Sequence, residues 1–185
     1  MKIYKALKNS MLGQGFDCSP WMKEFYARVG MSNHGGYDWG ADSGQPIYYD
    51  CDVPGFVLNT EIDSYGGLGV NIITESQEGV FKHRFWHLKD FLVKSGDRIE
   101  MGDCIGLADN TGLSTATHLH RDVKEMENMG GWYKVKYPNN GTFGTIRIDD
   151  KLVHKFVLDE LPLSISNRKQ MIMLFKVLVK RLKVA

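Results

Sequence analysis

Between His34 and Val123 the apolar residues come in strand-length clusters, and Gly, Asp and Asn interrupt them before a helical period can build. Gln45-Pro46-Ile47-Tyr48-Tyr49, Gly55-Phe56-Val57-Leu58, Val70-Asn71-Ile72-Ile73-Thr74, Phe81 to His87 and Cys104-Ile105-Gly106-Leu107-Ala108 are such clusters. None keeps a spacing of about 3.6 residues over a helix-sized window, so paired strands are the arrangement that can bury them. The chain's 20 glycines supply the positive φ that tight turns between short strands need. The expectation is a mainly β protein built on an antiparallel sheet.

The flanks read differently. Trp21 to Val29 is expected as a short helix, with Ser19 as N-cap and Pro20 at its first position. Residues 1–13 read as an N-terminal extension, 14–125 as the β domain and 126–165 as a turn-rich extension packed on it. Residues 166–185 read as a basic amphipathic helix. Its apolar face is Met171, Ile172, Leu174, Phe175, Leu178, Val179 and Leu182, opposed by Lys169, Lys176, Lys180, Arg181 and Lys183. Three uses of that helix stay open: packing on the β domain or another subunit, lying on an anionic membrane surface, or binding a partner. Its apolar run is too short and too often broken by lysine to span a bilayer.

Composition narrows the class. At 43% hydrophobic and 24% charged residues the chain can bury a core. A net charge of +1 gives nucleic acid no electrostatic footprint, so no nucleic-acid partner is expected. The N-terminal residues have lysines but no apolar stretch of signal-peptide length, so cytoplasmic synthesis without a signal peptide is expected. Cys18, Cys51 and Cys104 lie far apart and are expected as free thiols, mostly buried.

The chemistry gathers in three islands: Asn33-His34-Gly35-Gly36-Tyr37-Asp38, Phe85-Trp86-His87-Leu88 and Thr117-His118-Leu119-His120-Arg121-Asp122. A catalytic zinc takes three protein ligands and leaves a fourth position for water. His34, Asp38 and His120 can supply the three, leaving His87 and His118 for proton work. Gly35-Gly36 disfavours a helix in the first island, yet residues four apart also share a face on a strand. On a strand His118 and His120 point the same way, which sets a ligand beside a general base. Each island alone is a weak signal. His83 and His154 have no such neighbours and read as surface residues.

The order of the islands, with the segments between them, resembles the M23 (LytM/lysostaphin-type) zinc metallopeptidases. Ser43-Gly44-Gln45-Pro46-Ile47-Tyr48, Gly69-Val70-Asn71-Ile72-Ile73, Val93 to Gly106 and Asn110-Thr111-Gly112-Leu113-Ser114-Thr115 are similar to that family's flanking strands and turn. The likeness covers roughly residues 14 to 123, starting near Gln14-Gly15-Phe16. Ser32-Asn33, Ala116-Thr117, Arg121 and Asp122 depart from the usual pattern without removing a candidate ligand.

The resemblance implies a lysostaphin-like sheet with an open groove, Zn2+ on His34, Asp38 and His120, and His87 and His118 as catalytic histidines. It implies hydrolysis of peptide cross-links or bridges of bacterial peptidoglycan, at the cell wall, through a zinc-activated water. His118 is the expected base and His87 the expected donor to the oxyanion or leaving amine. Asp122 or a main-chain carbonyl is expected to orient a ligand imidazole, and Arg121 to be a solvated residue or a contact for an acidic part of the substrate. A phage-encoded or virion-associated hydrolase fits a chain without a leader. The alternative is a structural or wall-binding protein on the same fold. The scissile bond, Gly-Gly or a D-amino-acid cross-link, is not readable from these residues.

Overall fold

The structure, a computed structural model, describes residues 1–184 and the side chains of all of these except Arg181, Lys183 and Val184. Two of the cations expected on the C-terminal helix, Arg181 and Lys183, therefore lie outside the described side chains. The elements run β1 (Ile3–Lys5), β2 (Leu12–Gln14), α1 (Lys23–Arg28), β3 (Tyr37–Gly40), β4 (Pro46–Tyr48), β5 (Gly55–Asp63), β6 (Gly67–Ser76) and β7 (Gly79–Phe91). They continue through β8 (Arg98–Ile99), β9 (Cys104–Ala108), β10 (His118–Asn128), β11 (Tyr133–Val135), β12 (Leu152–Phe156) and α2 (Leu163–Val184).

Ten strands share one sheet, mainly antiparallel as expected. Its main path is β2-β3-β10-β7-β6-β5-β8; β11 joins β10, and β9 joins β7 and carries β4. β1 and β12 pair in parallel apart from it. The long strands β6, β7 and β10 form the centre, where the register sets Val123 opposite His83 and Arg121 opposite Phe85. Strand period then divides the residues between two faces. Leu119 and Val123 of β10, Phe81 and Phe85 of β7, and Val70 and Ile72 of β6 are buried in the main core with Ile47, Tyr49 and Ile105. The intervening residues of β10, His118, His120, Asp122 and Lys124, belong to the other face.

Two expectations fail at this core. His83 is not a surface residue but fully buried, its Nε2 3.0 Å from the Thr74 hydroxyl. Arg121 neither meets solvent nor faces a substrate; it is 1% exposed. Its guanidinium donates to both carboxylate oxygens of Asp50 and to Nδ1 of His83, and lies over the Phe85 ring. The physical reason is parity: His83 lies two residues from Phe81 and Phe85, and Arg121 two from Leu119 and Val123, so the strands turn both inward, and Asp50 meets the buried charge. His154 is exposed on β12, as read.

The flanking elements follow more loosely. Pro20–Met22 forms a single 3-10 turn ahead of α1, and Ser19 makes no side-chain capping bond. All three cysteines are free, with Cys51 and Cys104 buried. α2 starts slightly earlier than its periodicity suggests. Met173 packs against a small cluster of Tyr48, Cys104, Phe156, Val157 and Leu158. Lys169 pairs with Asp103 at 2.7 Å, and Lys180 bonds Asp90. The apolar face expected to pack stays largely open: Met171, Leu174, Phe175, Leu178 and Leu182 are all exposed. No described helix is long and apolar enough to cross a membrane.

Candidate metal centre

His34 lies in the loop entering β3, Asp38 on β3, and His120 on β10. The β3–β10 ladder sets Asp38 directly opposite His120. Nε2 of His34 is 3.0 Å from Nδ1 of His120, which is 2.9 Å from Oδ1 of Asp38. Asp38 Oδ1 is in turn 3.2 Å from Nε2 of His34. Three donor atoms on one small triangle are the arrangement that a tetrahedral ion needs, since Zn–N bonds of about 2.0–2.1 Å place neighbouring ligand atoms roughly 3.3 Å apart. Two imidazoles and a carboxylate suit zinc chemically.

The charges around the triangle ask for a cation. Burial pushes the Asp38 carboxyl up, but hydrogen bonds from His120 and His34 outweigh it and hold the group well below the usual range. Burial pushes His120 down, while hydrogen bonds to Asp122 and Asp38 carry it up to about 9. The same donor atoms could hold a metal ion in place of that proton, since ligands must be deprotonated to bind one.

His34 is held from outside the triangle by a hydrogen bond, and His120 faces a carboxylate there. His34 donates Nδ1–H to the carbonyl of Gly15 at 2.6 Å, leaving Nε2 free to accept. Nε2 of His120 lies 3.3 Å from Oδ2 of Asp122, whose Oδ1 accepts from Nε of Arg84 at 2.7 Å. Gly36 makes room for the ring: a Cβ there would lie 2.6 Å from His120 Nε2. The sequence reading took Gly35-Gly36 as a helix breaker and missed this clearance.

His87 reaches the site against strand parity. It follows Phe81, His83 and Phe85 at odd positions, so a regular β7 would turn it into the core. Its φ is 63°, in the left-handed region, and the β6–β7 and β7–β9 ladders both shift register beside it. Such a bulge re-aims a side chain, and a non-glycine in this conformation is held by its surroundings. Here the hold is a closed set of bonds. His87 N–H donates to Gly66 O at 2.9 Å, His87 O accepts from Asp109 N at 3.0 Å, and Nδ1–H donates to Thr111 O at 2.7 Å. The tip of the β5–β6 hairpin and the 109–117 loop are braced together, with Leu113 N–H on Tyr65 O at 2.8 Å.

The His87 ring lies 4.5 Å from that of His118, centroid to centroid. His118 donates Nδ1–H to Ala116 O at 2.8 Å, and its Nε2 is 3.6 Å from Asp38 Oδ1. All five candidate residues thus meet at one end of β10. The Gly15, Thr111 and Ala116 carbonyls, which orient three of the four imidazoles, had no signal in the sequence, because a main-chain acceptor carries none.

Comparison with known proteins bears on the chain as a whole. Residues 32–131 match peptidase family M23. An uncharacterized metalloprotease of Buchnera aphidicola is 40% identical over 92 residues, covering 50% of this chain and 23% of that protein. A glycyl-glycine endopeptidase of Staphylococcus capitis is 39% identical over 88 residues, covering 48% of this chain and 24% of its own. The similarity therefore spans about a quarter of these relatives' length. Among solved structures, the catalytic domain of lysostaphin from Staphylococcus simulans aligns with 70% of this chain and 91% of its own, at 25% identity and a TM-score of 0.53. A zinc-containing peptidase from Vibrio cholerae aligns with 66% of this chain and 36% of its own, at 28% identity and a TM-score of 0.54. A match over more than half the sequence, on a sheet of this topology, means that the chain belongs to peptidase family M23.

Proposed function

We propose that this protein is a zinc-dependent endopeptidase that hydrolyses peptide cross-links or bridges of bacterial peptidoglycan. The observation that carries the reading is the triangle of His34 Nε2, Asp38 Oδ1 and His120 Nδ1, with His87 and His118 beside it. Relatives named as a glycyl-glycine endopeptidase and, at 34% identity, a peptidoglycan DD-endopeptidase of Vibrio cholerae support the substrate class.

His34, Asp38 and His120 would hold the zinc. Bound there, zinc would supply Lewis acidity for activating water and polarising the scissile carbonyl. Asp122, anchored by Arg84, orients His120. His87 and His118 each commit Nδ1–H to a main-chain carbonyl, so each presents Nε2 to the substrate. Burial pushes His87 down to about 4, although the Thr111 carbonyl works the other way. A neutral ring with Nδ1–H committed has a lone pair on Nε2. The same is true of His118, while a depressed pKa weakens His87 as a base and strengthens its protonated form as an acid, so His118 keeps the base role expected from sequence and His87 the role of donor to the oxyanion or leaving amine. His118 Nε2 lies beside the triangle, 3.6 Å from Asp38 Oδ1, within reach of a water held at the centre.

The test is zymography and peptide release on purified peptidoglycan, with and without chelator, alongside metal analysis. About one zinc per chain, chelator-sensitive release, and loss of zinc in His34→Ala are expected. Full release by zinc-free protein would overturn the reading.

A further inference from the structure

Beyond the metal triangle the same sheet face continues. β10 runs from His120 through Asp122 to Lys124, and β7 lies alongside with Trp86, Arg84 and Lys82. The register sets Asp122 opposite Arg84 and Lys124 opposite Lys82. The first is an ion pair of 2.7 Å. The second is a pair of cations directly across two strands, an arrangement that weakens a sheet.

No described carboxylate neutralises these lysines within 4.0 Å. Lys124 is 8% exposed, and its ammonium donates to the carbonyl of Phe143. Lys82 is half-buried beside it. Neither nearby acid pairs with them: Asp122 pairs with Arg84 and faces His120, and Glu61, which accepts from Asn59 and Asn71 at 2.8 Å each, offsets their charge only from a distance. Burial and the Arg84 charge push both lysines down, Lys124 to about 8. Two desolvated like charges are costly unless an anion joins them.

We propose that Lys82 and Lys124 form a carboxylate subsite on the sheet face beside the metal centre, so that the preferred substrate is a peptide bearing a free carboxylate. Four residues along β10 separate Lys124 from His120, about 13 Å at ~3.3 Å per residue. An extended peptide with its scissile bond at the metal would reach the lysines within about four residues. An uncharged, all-glycine bridge has no group to place there. This inference rests on the peptidase reading above.

The experiment uses the zinc-loaded protein and two synthetic peptides that differ in one side chain, a free carboxylate or its carboxamide. Cleavage is followed for the wild type, Lys82→Gln and Lys124→Gln. Binding of both peptides is measured by fluorescence anisotropy in the non-cleaving His118→Ala protein. We expect the carboxylate peptide to have the lower KM by about tenfold, one charge-assisted contact. Lys82→Gln should remove that difference with kcat changed less than twofold and carboxamide cleavage unaltered. If Lys124→Gln fails to fold, Lys82→Gln alone decides. Equal KM values, or a loss in Lys82→Gln shared by both peptides, would overturn the subsite and leave the peptidase reading standing. Selective carboxylate binding without cleavage by the wild type would keep the subsite and sink the peptidase reading. Neither binding nor cleavage would sink both.

Discussion

The Nδ1–H of His87 donates to the main-chain carbonyl of Thr111 at 2.7 Å, and this bond turns the opposite nitrogen of a left-handed residue toward the metal triangle. It joins a bulge on β7 to the 109–117 loop, and so couples strand geometry to proton chemistry.

The two catalytic candidates should separate by leaving group. General acid–base groups contribute about 10²–10⁴ in rate, so His87→Ala and His118→Ala should each lose at least ~100-fold on a peptide while keeping zinc. On an activated ester, whose leaving group needs no proton, His87→Ala should recover most of its rate and His118→Ala should not. Recovery by His118→Ala instead would reverse the two roles.

Metal-free protein should be most stable near pH 6.5. His87, down to about 4, and the buried His83, also lowered, bind protons more weakly folded than unfolded. Their contribution is present above the unfolded value and is lost as pH falls from 6.5 toward 4. His120 is raised to about 9, so its contribution is present below the unfolded value and is lost as pH climbs from 6.5 through 9. Urea midpoints with chelator across this range check it. Adding zinc should flatten the alkaline limb, because the ion replaces the proton on His120. A midpoint that rises steadily from acid to alkali would contradict the assignment.

Gly36→Ala should lose metal while keeping the sheet. The new Cβ would sit 2.6 Å from His120 Nε2 and 2.9 Å from the Arg121 main-chain oxygen, so the ring and the adjoining β10 backbone must both give, and the triangle opens there. Circular dichroism close to wild type, with weaker zinc binding in chelator competition, is the expected pair of results.

Asp122→Asn should lower zinc affinity about 10–100-fold, the usual cost of losing a carboxylate that orients a ligand imidazole. The same chelator competition reads it. Wild-type affinity would show that the 3.3 Å contact with His120 does not orient the ring.

Asp50→Ala should cost about 3–5 kcal/mol in urea denaturation, because it strands the buried Arg121 charge. The joint replacement of Asp50 and Arg121 by apolar residues should recover much of that loss, since a buried ion pair adds little net stability. In the joint variant KM should be unchanged, in contrast to what a substrate-contacting Arg121 would give.

The sequence by itself determined what depends on neighbours along the chain. Strand lengths, turns and the face shared by His118 and His120 follow from a two-residue period and from glycine spacing, and the order of the three islands carried the family resemblance. Tertiary structure decided what depends on distant segments. Parity alone would have sent His87 into the core; bonds to Gly66, Asp109 and Thr111 hold the bulge that brings it out. Arg121 looked solvent-facing until Asp50, 71 positions away, supplied its counter-charge. Lys82 and Lys124 became one patch only through the β7–β10 register. The α2 stripe shows the reverse: a helical period marks an apolar face, but which surface covers it depends on the fold, and here cations and Met173 make the contact.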